Sequence, residues 1–309
     1  MARQDKASPP EAGPPERAAS VLRQSLAEPL APGLYLVATP IGNLADITLR
    51  ALSVLARADA LYCEDTRHSR TLLAHYGILR PTRAYHEHNA ERERPRILAE
   101  LAAEKSVAVI SDAGTPLISD PGYRLVREAI AAGATVTSLP GPSALLAALA
   151  AAGLATDAFL FAGFLPPRQA ARRTRLKELA AVPATLVFFE APSRLADSLG
   201  DIAAVLGERA AAVARELTKL YEQVRRGTPA ELAQWAAEVA PRGEMVILIG
   251  PPVAEVATDA VIIARLKALL ATMSLRDAAK AVAAELGVAR SRVYDLALGL
   301  QRSDRGSDP

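Results

Sequence analysis

Cysteine is almost absent: Cys63 is the only one in 309 residues, which excludes an internal disulfide and fits a reducing compartment. Long apolar runs are missing too. The longest stretch of small and apolar residues, 144–155, falls well short of the ~20 needed to cross a bilayer, so no membrane span is expected. The chain opens on Met-Ala-Arg-Gln-Asp-Lys and continues through Pro9, Pro10, Pro14 and Pro15, without the apolar centre of a signal peptide. Residues 1–32, rich in proline and charge, are expected to form a disordered tail, and the protein to be cytoplasmic. An excess of one charge is also lacking. Lys and Arg number 36 against 34 Asp and Glu, a net charge of +2, so the total selects no partner. Neither the G-x-G-x-x-G of a dinucleotide site nor a Walker A loop occurs, which argues against a ligand cradled by its phosphates. No repeat of solenoid period is apparent.

What is present is enough for two cores. Half of the residues are apolar, and the length suits two domains of roughly 150 residues each. Five short apolar or β-branched runs (34–39, 60–65, 84–88, 107–112 and 135–140) alternate with helical patterns such as 47–56, 67–76 and 122–132. Alternation of this kind predicts βαβ units and a mostly parallel sheet over residues 33–165. After a basic linker at 166–182, residues 183–252 change character. A strand at 185–190, a helix at 193–206, a hairpin formed by 211–217 and 222–227, and a strand at 243–249 predict a mixed or antiparallel sheet. The fold class is therefore α/β, with two α/β domains, the first mostly parallel and the second mixed or antiparallel. Residues 261–302 form a small helical unit: Ser274 reads as an N-cap, Gly287 as a C′ residue and Ser291 as the cap of a second helix, a helix-turn-helix pattern.

In an open parallel sheet, ligands bind beyond the carboxyl ends of the strands, and there the informative residues cluster. Pro40 and Gly42 follow the first strand, where they make a stiff turn open to close approach or an ordinary strand-to-helix turn. Glu64, Asp65, Thr66, Arg67 and His68 follow the second; they suit proton transfer or substrate positioning, or Asp65 simply caps the next helix. His86 and His88 follow the third, on one face of an extended segment. Two histidines without a third ligand make a polar, substrate-facing cluster the better reading, and no metal is expected. Ser111, Asp112, Gly114, Thr115 and Pro116, continuing through Ile118 to Gly122, follow the fourth. Pro140, Gly141, Pro142, Ser143 and Ala144 follow the fifth, where small residues leave room for a flat base.

Taken together, these loops resemble the tetrapyrrole methylase superfamily of S-adenosylmethionine enzymes. The resemblance rests on Leu34-Tyr-Leu-Val-Ala-Thr-Pro-Ile-Gly-Asn43 and its continuation to Arg50, and on Ser111-Asp-Ala-Gly-Thr-Pro116. Glu64-Asp-Thr-Arg67, His86-Glu-His-Asn89, Pro140-Gly-Pro-Ser-Ala144, Gly163-Phe-Leu-Pro166 and Ala214-Arg-Glu-Leu-Thr-Lys219 are similar, within it, to the ribosomal RNA small subunit methyltransferase I family. The likeness spans about residues 34–250 and the helical tail. It implies 2′-O-methylation of a cytidine ribose in the decoding centre of 16S rRNA, in the assembled or nearly assembled small subunit, by a homodimer. It places the donor, S-adenosylmethionine, against Pro40, Gly42, Asp112, Gly114, Thr115 and Ile118. Ser143, Ala144 and Leu165 complete that side of the site, with Arg215, Glu216 and Glu244 from the second domain.

Two departures stand out. Gly114-Thr115-Pro116 replaces the Gly-Asp-Pro of many tetrapyrrole methylases, which argues against a porphyrin substrate. Ser193 stands where the rRNA group carries a histidine.

A ribose hydroxyl needs to lose its proton to become a good nucleophile, and Glu64, Asp65 and His88 are the candidate bases, with water an alternative. RNA requires positive charge. Arg67, Arg168, Arg172, Arg173, Arg175 and Lys177 are candidate contacts, although the 166–182 segment also reads as a solvated linker helix. Arg290 and Arg292, with Arg276 and Lys280, decorate a tail that by its residues alone reads slightly better as a packing or dimerisation hairpin. Two rival functions fit the same residues: a methyltransferase acting on a tetrapyrrole or protein side chain, and a non-catalytic RNA-binding assembly factor.

Overall fold

The structure, a computed structural model, describes residues 13–118, 122–252 and 258–305. Ser119, Asp120 and Pro121 of the fourth loop therefore lie outside the described residues, as do residues 1–12 of the expected tail. The chain divides at residue 252 into two compact units.

In the larger unit, helix α1 (Pro14–Ala27) precedes strand β1 (Gly33–Val37), α2 (Leu49–Arg57) and β2 (Ala60–Cys63). There follow α3 (Thr66–His75), β3 (Thr82–Ala84), α4 (Ala90–Ala102), β4 (Ser106–Ile110), α5 (Tyr123–Ala131), β5 (Val136–Leu139) and α6 (Ala144–Ala152). The strands form one parallel sheet in the order β3-β2-β4-β1-β5. Residue alternation sorts its side chains onto two covered faces, as a doubly buried sheet requires. Tyr35 and Val37 face α2 and α3 with Leu55 and Leu73. Leu34 and Leu36 face α4 and α5 with Ile97 and Leu125.

The second sheet comprises β6 (Phe159–Phe164), β7 (Thr185–Glu190), β8 (Ala211–Arg215), β9 (Gln223–Gly227) and β10 (Met245–Ile249), in the order β6-β7-β10-β8-β9. Only β6 and β7 run parallel. Helices α7 (Gln169–Leu179), α8 (Leu195–Leu206) and α9 (Pro229–Val239) cover one face through Leu176, Leu199, Trp235 and their neighbours. The other face takes α6. Its Ala148, Leu149 and Ala152 pack on Val187, Ala214 and Leu248, and small alanines let the helix sit close. A helix that follows the first sheet thus roofs the second, and this joint fixes the cleft between them.

The smaller unit consists of α10 (Asp259–Leu270), α11 (Leu275–Leu286) and α12 (Arg290–Arg305), packed around Ile262, Leu266, Val282 and Val293. Ser274 accepts from the Asp277 N–H (3.2 Å) and Gly287 takes φ +62, the N-cap and C′ roles that the sequence suggests. Three helices stand where two were expected. The last starts at Arg290, so Ser291 lies inside its first turn and is no cap.

Five expectations are corrected. Residues 14–27 of the expected disordered tail are helical: Leu22 packs on the first sheet's core, and Ser25 hydrogen-bonds Ser53 at 2.9 Å. Strand β3 ends at Ala84, because Asn89 turns the chain by accepting from His86 N–H and donating to Ala84 O, both at 2.9 Å. His86 and His88 are therefore not on an extended segment; their rings stand edge-on, 6.0 Å apart. The second sheet begins at Phe159, ahead of Pro166. The 166–182 segment is the packed helix α7, with Leu176 and Leu179 in the core.

Candidate functional site

The loops beyond the first sheet are tied to one another. Thr39 and Gly114 exchange backbone hydrogen bonds at 2.9 Å, joining the loops after β1 and β4. Ser111 O accepts from the Thr39 hydroxyl (3.0 Å), and Thr115 reaches Pro142 O (3.3 Å) in the loop after β5. Asp112 accepts from Asp65 N–H (2.9 Å), which adds the loop after β2. Four loops thus behave as one rigid surface.

Facing that surface are the ends of the second sheet, and a cavity of about 330 Å³ lies between. Ala113, Gly114, Thr115, Ile118, Ser143 and Ala144 form one wall; Phe164, Phe189, Glu190, Gly243 and Glu244 form the other. Gly114 adopts φ +79, a conformation that favours glycine, and a Cβ there would press on Ile41 at 3.4 Å. Ser143 caps α6 through Leu146 N–H (3.4 Å), so the helix N-terminus opens beside the cavity. The Glu190 carboxylate is fully buried, accepts from Ser198 (2.6 Å) and Ala191 N–H (2.9 Å), and pairs with Arg194.

Of the expected donor contacts, Gly114, Thr115, Ile118, Ser143, Ala144 and Glu244 line the cavity. The others are not part of its lining. Pro40 is buried next to Ile41. Gly42 lies under Lys219, which a Cβ would strike, and Asn43 N–H bonds Thr218 Oγ1 at 3.1 Å. Asp112 holds the β2 loop, Leu165 belongs to the second core, and Arg215 donates to Arg242 O (2.8 Å). Glu216, at φ +49, accepts from Glu244 N–H (3.0 Å) and Lys219 (2.9 Å). The Lys219 bond chiefly holds its carboxyl below the usual value. Phe164, Phe189, Glu190 and Gly243 were missed; only the Gly163-Phe-Leu-Pro166 motif signalled one of them.

Beside Asp112 lies a second, open cavity of about 720 Å³, lined by Glu64, Tyr85, His88, Arg94, Tyr123 and Arg124 among others. The candidate bases differ sharply here. Asp65 caps α3 through Arg67 N–H (2.8 Å) and pairs with the Arg67 guanidinium (3.0 Å). That pairing, with the cap, lowers its pKa to about 2. Glu64 is half-buried, and burial first, then the nearby Asp112 carboxylate, raises its pKa. His88 is exposed at the rim.

Residues 33–233 match the family of Tetrapyrrole (Corrin/Porphyrin) Methylases, and residues 256–301 match the RsmI C-terminal HTH domain. The ribosomal RNA small subunit methyltransferase I of Mesorhizobium japonicum is 56% identical over 284 residues, covering 91% of this chain and 97% of that protein. That of Pseudomonas aeruginosa is 48% identical over 274 residues, 87% of this chain and 97% of that protein. The chain belongs to the ribosomal RNA small subunit methyltransferase I family. Solved structures of a cobalt precorrin-4 methyltransferase (TM-score 0.54, 20% identity, 70% of this chain and 94% of that one) and a diphthine synthase (TM-score 0.55, 15% identity, 70% and 89%) share the architecture. At such identities the likeness speaks for the fold.

For a member of this family, the positions of the candidate RNA contacts matter. Arg67 is 88% exposed in its side chain; Arg168, Arg173, Arg175 and Lys177 are also exposed. Arg172 is corrected: it is buried and bonds Asp201 at 2.7 Å, so it holds α7 to α8 and faces no solvent. Arg173 shares Asp201 at 2.6 Å, and Arg175 pairs with Glu178 at 2.8 Å. In the smaller unit Arg276, Lys280 and Arg290 are exposed, whereas Arg292 pairs with Asp259 at 2.6 Å. Among the described residues no cluster of His, Cys, Asp and Glu could hold a metal, and no helix is long and apolar enough to cross a membrane.

Proposed function

We propose that the chain transfers a methyl group from S-adenosylmethionine to the ribose 2′-hydroxyl of a cytidine in small-subunit rRNA. The observation that carries this reading is the cavity between the two sheets. Its size suits a cofactor-sized ligand. Its donors suit that ligand's chemistry. The N-terminus of α6 favours a carboxylate, the rings of Phe164 and Phe189 offer faces to a planar base, and Glu244 adds negative charge for a cation. Gly114, Thr115, Ile118, Ser143 and Ala144 would hold the nucleoside and amino-acid parts. Pro40, Gly42, Asp112, Leu165, Arg215 and Glu216 support them from behind.

The donor supplies a methyl on a sulfonium, an electrophile already activated. The task left to the protein is orientation, exclusion of water and removal of one proton, and orientation alone can be worth effective molarities of ~10⁵–10⁸ M. Glu64 is the group assigned to take the proton from O2′. It is the carboxylate at this edge that burial leaves poised, whereas Asp65 is committed to its cap and to Arg67. His88 completes the polar rim. Arg67, Arg168, Arg173, Arg175 and Lys177, with Arg290 and Arg292 of the helical tail, would neutralise phosphates.

The reading extends to an assembled or nearly assembled small subunit as substrate, to a homodimer and to a cytoplasmic location. Leu220 and Tyr221, 88% and 68% exposed in the β8–β9 turn, are apolar surface that a second copy would cover. Incubation with small ribosomal subunits and labelled donor, followed by mapping of the labelled nucleotide, tests the reading. Label on a cytidine ribose is expected. Label on a base, or none, would refute it.

A further inference from the structure

We infer that the cavity beside Asp112 is the acceptor-nucleotide site, with the Tyr123 ring as the surface on which the target base stacks and Arg124 as its phosphate anchor. The inference rests on the proposed rRNA reading and names the site that reading lacks. Tyr123 is 71% exposed, an unusual position for so large a ring, and it begins α5 at the cavity's edge. Arg124 follows it, with a side chain 67% exposed and only a loose 3.8 Å contact to Glu91. Deeper in the cavity Tyr85 is buried, and the Arg94 side chain, 15% exposed, is fixed to Glu128 at 3.0 Å. The floor is thus rigid and the rim is free to bind.

Position selects the occupant. Asp112 links the two cavities without lining either: its neighbour Ala113 lines the donor side, and its carboxylate acts on Glu64, which lines this one. A nucleotide here would have its ribose near Glu64 and the donor wall. An aromatic face beside an arginine is the pairing that single-stranded or flipped-out nucleotides use, with the π-face under the base and the cation on the backbone. Glu87, also in the lining, offers an acceptor to an exocyclic amine such as that of cytosine. The cavity, at about 720 Å³, has room for one nucleotide.

The test compares Tyr123→Ala, Tyr123→Phe and Arg124→Ala in the full chain, assayed on small ribosomal subunits, with binding of the demethylated donor product measured by calorimetry. Tyr123→Ala is expected to raise KM for subunits by roughly 10-fold or more, in line with one lost stacking contact. Tyr123→Phe should restore it, Arg124→Ala should raise KM and flatten its salt dependence, and product binding should stay at the wild-type value. A Tyr123→Ala protein with unchanged KM would overturn the assignment. So would parallel loss of product binding, which would mark Tyr123 as a structural residue. A wild-type chain that binds product but methylates no subunit would refute the rRNA reading itself, and this site with it.

Discussion

Two adjacent carboxylates after β2 have opposite fates, and the difference is local. Asp65 accepts a helix N–H and a guanidinium and stays ionised; Glu64 points into a half-buried site near Asp112 and holds its proton more tightly. A base works only when ionised. The acid limb of kcat should therefore lie above the ordinary glutamate value of 4.5, and it should vanish in Glu64→Gln. That variant should lose about 10²–10⁴-fold in kcat while donor-product binding is unchanged. A pH–rate series on subunits checks both, and a Glu64→Gln enzyme of normal rate would remove Glu64 from the chemistry. Asp201 is a different kind of residue. Burial opposes its ionisation, yet Arg173 and Arg172 outweigh that and keep its pKa low. Asp201→Ala would strand a buried guanidinium, and urea unfolding should report a loss of about 3–5 kcal/mol.

At the scale of elements, what sequence reveals depends on where partners lie. The parallel strands were legible because both faces are apolar and a helix follows each. The cavity-lining residues from Gly114 to Ala144 were legible because they sit at strand ends. Strand β6 was not: Gly163 at φ +67 breaks its pattern, and its register with β7 shifts between Phe161 and Phe164. Helix α7 read as a basic linker because the partner of Arg172 lies in α8, 29 residues on. The opposite wall, Phe189 to Pro192 and Gly243 to Val246, comes from antiparallel strands, for which no strand-end rule exists. Gly243 is the element-level test. It takes φ +94, and a Cβ there would collide with the Glu216 carboxylate that braces Glu244. Gly243→Ala should cost about 1–3 kcal/mol of local strain and weaken product binding accordingly. Calorimetry on the folded variant measures it.

For the whole molecule, the larger unit has its own cores on both sheets, and the smaller one has its own. A chain ending at residue 252 should therefore keep donor-product binding while its KM for subunits rises. If product binding is lost as well, the two units do not fold independently. The isolated thiol of Cys63 offers a way to watch the first sheet work. It sits fully buried at the end of β2, one residue before Glu64, and burial pushes its pKa up. A maleimide can reach it only when α3 and β3, which cover the thiol, part from β2, so alkylation kinetics become a clock for that opening. Occupation of the neighbouring cavities by donor and nucleotide should slow the clock, one step for each.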